Sequence, residues 1–334
     1  MKKILLTAVA ALAIVGCSQN EEIEKAGEKA EINFGSIVKG STRAAVTTTS
    51  NFKEFTVSGY KTADVMSTGT QLVTGFIDDL LVENSESTGW GYTGTFYWPI
   101  TGKVQFFATS PKQSLDLSAE GYPTFSYTIK SVTSQEDLVA ANLIDQVKTS
   151  GDITLTFQHL LTQVNFSIKG DTPDFTYAVT KLELKGLKDK AIFKFNGTPE
   201  TVGSWETLEA SAENIIYAYT APENTPVTVA PTAENKDLST SFETANNALF
   251  MLMPQALSDV TLDITYSAAP TLHPNEYTFN STKTVKLTGE WGMGKNIRYT
   301  LKLTSDASAV TFSPTVNGWS DETGTTEPVT PPAE

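Results

Sequence analysis

The chain has a single cysteine, Cys17, among its 334 residues. An intrachain disulfide is therefore impossible, and zinc sites built from cysteine pairs are excluded. Histidine is almost as scarce, with only His159 and His273, far apart in the chain. Arginine also occurs only twice, at Arg43 and Arg298. The basic residues total 24 against 38 Asp and Glu, a formal net charge of -14. Such a chain is repelled by nucleic acid and by anionic lipid headgroups, and it has no basic stripe to bind either. Nucleophile elbows, Walker loops, H-E-x-x-H pairs and EF-hand loops are all missing. The carboxylate pairs Asp78-Asp79, Glu136-Asp137 and Asp321-Glu322 would face opposite ways on an extended chain. They read as solvated loop charge, and His159 reads as a structural, hydrogen-bonding histidine. No catalytic residue, metal ligand set or cofactor is expected, and the chain does not read as an enzyme.

No apolar run approaches the roughly 20 residues that a membrane-spanning helix needs. The run from Ile4 to Val15 instead fits the core of a signal peptide behind the basic Met1-Lys2-Lys3. It ends in Ile14-Val15-Gly16-Cys17, which resembles the bacterial lipobox: two apolar residues, a small residue, then the cysteine. Residues 1–17 are expected to be a lipoprotein signal peptide, with Cys17 carrying the lipid anchor to the outer membrane. Residues 18–30 are polar, start Ser18-Gln19-Asn20-Glu21-Glu22, and read as a tether with nothing to bury. The acidic start resembles the export signal of surface-exposed lipoproteins.

The remaining stretch of about 300 residues is long enough to bury about three quarters of its unfolded surface and to form two domains. Threonine and serine are abundant, and Val, Ile, Phe and Tyr recur in short alternating runs between turn residues. That pattern is all-β. Strands are expected at 31–38, 55–60, 94–97, 104–109, 153–157 and 164–168. Further strands are expected at 177–185, 191–195, 214–219, 248–253, 260–266, 282–288, 297–303 and 309–317. Asp137 to Asn142 reads as a helical turn or a loop. Lys39 to Arg43 breaks the first strand, and 44–51 reads as a Thr/Ser-rich loop. A domain boundary is placed near 158, giving domains 31–158 and 159–320 and a proline-bearing disordered tail at 321–334.

Three groups of residues then carry a resemblance across the whole chain. Phe96-Tyr97-Trp98-Pro99 precedes Val104-Gln105-Phe106-Phe107-Ala108. Leu155-Thr156-Phe157-Gln158-His159-Leu160-Leu161-Thr162-Gln163-Val164 stands at the middle. Trp291-Gly292-Met293-Gly294-Lys295, Tyr299 to Leu303 and Val316-Asn317-Gly318-Trp319 close the chain. In this order, behind a lipobox, they resemble the fimbrillin family of lipoprotein-derived pilus subunits. The resemblance implies two tandem transthyretin-like β-sandwich domains. It also implies that an arginine-specific protease removes the N-terminus with its first strand, and that the vacated groove accepts a strand from another pilus subunit.

Arg43 suits that cut, with Ala44 as the new N-terminus, because it lies between a strand and a loop, whereas Arg298 lies inside a predicted strand. Ile32 and Phe34 are the core-facing residues of the strand to be released. Val310 and Phe312 alternate with polar residues and make the region around 308–320 the candidate donor, which is alternatively the last core strand of its own domain. Such a subunit would work at the cell surface, as stalk or tip, with a host protein or glycan as its adhesion ligand. The alternatives are an uncut anchor subunit or a glycan-binding surface lipoprotein. For the latter, Trp90 and Trp205 are candidate sugar platforms, while Trp98, Trp291 and Trp319 are assigned to the core.

Overall fold

The computed structural model describes residues 30–38, 52–85, 87–149, 151–198, 201–211, 216–221, 227–229, 236–237, 248–306 and 308–318. Among them every element is a strand except one 3-10 turn, Val132–Ser134. The first half holds β1 (Phe34–Val38), β2 (Glu54–Thr62), β3 (Ile77–Ser85), β4 (Gly89–Tyr92), β5 (Lys103–Ser110), β6 (Thr124–Thr128), β7 (Val139–Gln146) and β8 (Ile153–His159). Next come β9 (Thr162–Gly170), β10 (Phe175–Lys185), β11 (Lys190–Phe195), β12 (Gly203–Glu209), β13 (Tyr217–Thr220), β14 (Val227–Val229) and β15 (Lys236–Asp237). The last are β16 (Leu249–Leu252), β17 (Thr261–Pro270), β18 (Phe279–Lys286), β19 (Lys295–Leu303) and β20 (Thr311–Gly318).

Seven strands form one sheet in the order β1-β8-β7-β5-β2-β3-β4. Its two edges meet, since Phe34 of β1 lies 5.9 Å from Tyr92 of β4, ring to ring. The sheet is therefore rolled around an aromatic core that includes Phe55, Phe106, Trp98 and Phe157. Its other face is also covered. Phe107 points away from the rolled core and meets Phe195 at 5.1 Å, on a three-stranded sheet ordered β12-β11-β6. β6 precedes residue 158 and pairs with β11, which follows it, so strand pairing spans that position.

The remaining strands make two facing sheets, β13-β10-β17-β18 and β15-β9-β19-β20, with β14 against β10 and β16 against β9. Phe166 of β9 stacks on Tyr299 of β19 at 5.7 Å within the core they share with Tyr177, Leu182, Ile264 and Tyr266. This is sandwich architecture, two sheets burying their alternate residues against each other.

Several sequence expectations need correction. Asp137 to Asn142 is not a helical turn, and only Asp137 and Leu138 are loop, because β7 begins at Val139. Ala140 serves one core and Ala141 the other, so burial on both faces removes the alternation that would have marked a strand. Gly94 to Tyr97 is not a strand: only Tyr97 pairs, in a single antiparallel bridge to Glu31. Asp78 and Asp79 are not loop residues but part of β3. There Asp79 takes φ 51° opposite a register shift between Val57 and Gly59, and its carboxylate pairs with Lys112 at 2.8 Å.

Candidate assembly site

β1 sits at an edge of the rolled sheet and pairs parallel with β8, Phe34 opposite Ile153 and Val38 opposite Phe157. The Ile153 N–H donates to the Asn33 carbonyl at 2.7 Å. In a parallel pair, alternate residues bond to the neighbour. Asn33, Gly35 and Ile37 thus turn their backbone groups toward β8, and Ile32, Phe34 and Ser36 turn theirs away. Residues 30–32 use that second side. Ile32 N–H donates to the Phe96 carbonyl at 2.9 Å, and Trp98 N–H donates to the Ala30 carbonyl at 3.0 Å. The Tyr92 hydroxyl donates to the Ile32 carbonyl. Residues 30–38 therefore form a plug between β8 on one side and residues 96–98 on the other.

The side chains follow the backbone. Ile32 is 0% exposed and Phe34 3%. The Phe34 ring stands edge-on to Phe106 at 5.5 Å, and Trp98 stands edge-on to the same ring at 6.1 Å. Burial is the main reason the Tyr92 hydroxyl titrates above the ordinary tyrosine range. The indole N–H of Trp98 is buried with no hydrogen-bond partner among the described residues.

Cys17, Arg43, Ala44, Trp319 and the tail 321–334 lie outside the described residues. Arg298 lies in β19, flanked by β9 and β20, and its Nε donates to Asn165 Oδ1 at 2.6 Å. Among the described residues β20 is an edge strand whose one neighbour is β19. Val310, just before it, is 6% exposed, and Phe312 is partly buried against Tyr299 at 5.7 Å. The loop ahead of β20 is tied down. The Lys283 ammonium donates to Thr304 Oγ1 and to the Asp306 carbonyl, both at 2.7 Å.

His159 and Asp137 meet at 2.8 Å through Nδ1 and Oδ2, with both side chains 2% exposed. Asp137 is therefore not the solvated loop charge expected from sequence; its carboxylate is buried against the imidazole. Trp90 and Trp205 are not open platforms either. Trp90 packs on Phe55 at 5.1 Å. Trp205 packs on Phe193 at 5.1 Å and donates its indole N–H to the Leu160 carbonyl at 2.7 Å. Tyr92 and the backbone of residues 96–98 had no assembly role in the sequence reading. The Phe96-Tyr97-Trp98-Pro99 run was the available signal, but nothing local ties it to residues 30–32.

A family model described as fimbrillin-like matches residues 42–319. The fimbrium subunit Fim1C of Phocaeicola vulgatus is 30% identical over 250 residues. That match covers 63% of this chain and 63% of the relative's length. A crystal structure of a fimbrial protein from Bacteroides vulgatus is similar in fold, with a TM-score of 0.64 at 22% identity. It is matched over 86% of this chain and 99% of that one.

Proposed function

We propose, on the premise that this chain belongs to the fimbrillin-like family, that it is a structural pilus subunit whose residues 30–38 hold an assembly groove closed. It is exported as a lipoprotein on Cys17 and reaches the outer membrane and cell surface as a precursor. An arginine-specific protease cuts after Arg43, and residues 30–38 then leave. The open groove accepts a strand from another subunit, with β20 as the donor. The join is head-to-tail and does not close on itself, so it propagates as a filament. The finished pilus supports adhesion to a host protein or glycan.

One observation carries this reading: the plug is a strand with partners on both sides and two fully buried side chains. Its departure would expose a row of backbone donors and acceptors on β8, a template for another chain. Burying Ile32 and Phe34 stabilises the closed form by about 1.5–3 kcal/mol each. Arg43 is joined in sequence to this plug, whereas Arg298 sits between two paired strands, where its backbone is inaccessible. The test is an Arg43→Ala precursor in the native host. It should accumulate as an uncut, lipidated monomer. Filaments of normal length from this variant would overturn the proposal.

A further inference from the structure

The plug and the last strand have the same side-chain order. Ile32, Phe34, Ser36 and Val38 alternate along the plug, and Val310, Phe312, Pro314 and Val316 alternate along the last strand. Both read as an aliphatic residue, phenylalanine, a small or imino residue, then valine. We propose that β20 of a second copy enters the groove as a mimic of the plug, in the same direction and with Phe312 in the place of Phe34. This rests on the donor reading above and adds its polarity and register.

Proline makes the register discriminating. In the proposed alignment Pro314 takes the position of Ser36, whose N–H points away from β8. A residue without an N–H costs no bond to β8 there. A slip by one residue would place Pro314 where Gly35 or Ile37 turns its N–H toward β8. The same slip would turn Phe312 out of the core. Side-chain parity and the proline thus favour the same register.

The two sites also differ in depth. At home, among the described residues, β20 is bonded along one side only, and Phe312 is partly buried. In the groove the occupant pairs with β8 and, at positions 30 and 32, also with the backbone of residues 96–98, and the residues at positions 32 and 34 are 0% and 3% exposed. Transfer of β20 into a vacated groove therefore buries its phenylalanine more deeply and gives Val310, in the place of Ile32, backbone partners on the second side.

Cysteine pairs in the full chain, expressed in the native host, read the register directly. Ser313 would occupy the place of Gly35, which lies opposite Thr154. Both Ser313 and Thr154 are exposed, and neighbouring strands lie within disulfide reach. Mild oxidation of surface fractions from Thr154→Cys/Ser313→Cys cells should give a reducible ladder of multimers. Thr156→Cys/Ser313→Cys, two residues along β8, should give at least tenfold less. Asp152→Cys/Ser313→Cys reports the reverse polarity, since Ser313 would then take the place of Asn33. A ladder from either of these pairs, or filaments with no ladder from the first pair, overturns the register while the donor reading stands. No filaments from the otherwise unmodified chain overturns both.

Discussion

Phe34→Ala in the uncut chain tests whether the first strand is a structural plug. The Phe34 ring is 3% exposed and meets the edges of Phe106 and Tyr92 at 5.5 and 5.9 Å. Its neighbours are held by the rolled sheet and can collapse only in part. A buried Phe→Ala change of this kind costs about 3–5 kcal/mol, transfer and cavity together. For a domain of this size that is a fall in Tm of roughly 6–20 °C. Asn33→Ala is the control. Its side chain is exposed, and surface changes usually stay within about 0.5 kcal/mol. Amide exchange at Ile153, whose N–H donates to the Asn33 carbonyl, should quicken about a hundredfold if local opening carries about 3 kcal/mol of the loss. After cleavage at Arg43 and removal of the N-terminal piece, the wild-type and variant chains are identical, and their melts should superimpose. A Phe34→Ala precursor that melts within about 2 °C of wild type, too little for the core loss, would refute the reasoning.

Cys17→Ala should abolish membrane fractionation and fatty-acid labelling; a variant that still fractionates with membranes would sink the lipoprotein assignment. Alkaline pH should destabilise the fold through its buried tyrosines. Burial raises the Tyr299 hydroxyl to about 12, while an unfolded tyrosine ionises near 10. The native state then binds more protons than the unfolded one, so this stabilisation is complete below about pH 10 and is lost as pH rises toward 12. Denaturant melts from pH 8 to 11 should show falling midpoints, less steeply for Tyr299→Phe.

Strands with one wet face were legible in the sequence. β8, β11 and β19 alternate, and their bounds fall within a few residues of expectation. Among strands buried on both faces, β2, β5 and β9 were still legible from their aromatic and β-branched residues, whereas β7 was not. β7 reads Val-Ala-Ala because its two faces serve two cores, which mimics a helix or a loop. β12, the antiparallel neighbour of β11, was missed because its largely polar run is mostly exposed. β6 was missed because its partner is β11, across the middle of the chain, and no local pattern encodes a partner. The same limit applies at the candidate site. Ile32 and Phe34 stand out as an alternating pair, whereas Tyr92 and the 96–98 backbone become recognisable as the second wall only when the sheet rolls.

The resemblance between plug and last strand bears on why a cut would be needed at all. Two strands with matching knobs compete for one groove on nearly equal terms, so contact energy alone does not choose between them. The chain's covalent continuity does. A tethered plug has an effective concentration of roughly millimolar or more, far above that of a strand on a neighbouring molecule. Before cleavage a neighbour of similar affinity loses this competition. Cleavage leaves the groove and both strands unchanged and removes only the tether, so the departing peptide dilutes while the donor stays attached to its own subunit. On this account the switch is a change in effective concentration and requires no rearrangement of the rolled sheet. The direction of assembly then follows from which of the two competing strands remains part of a folded chain.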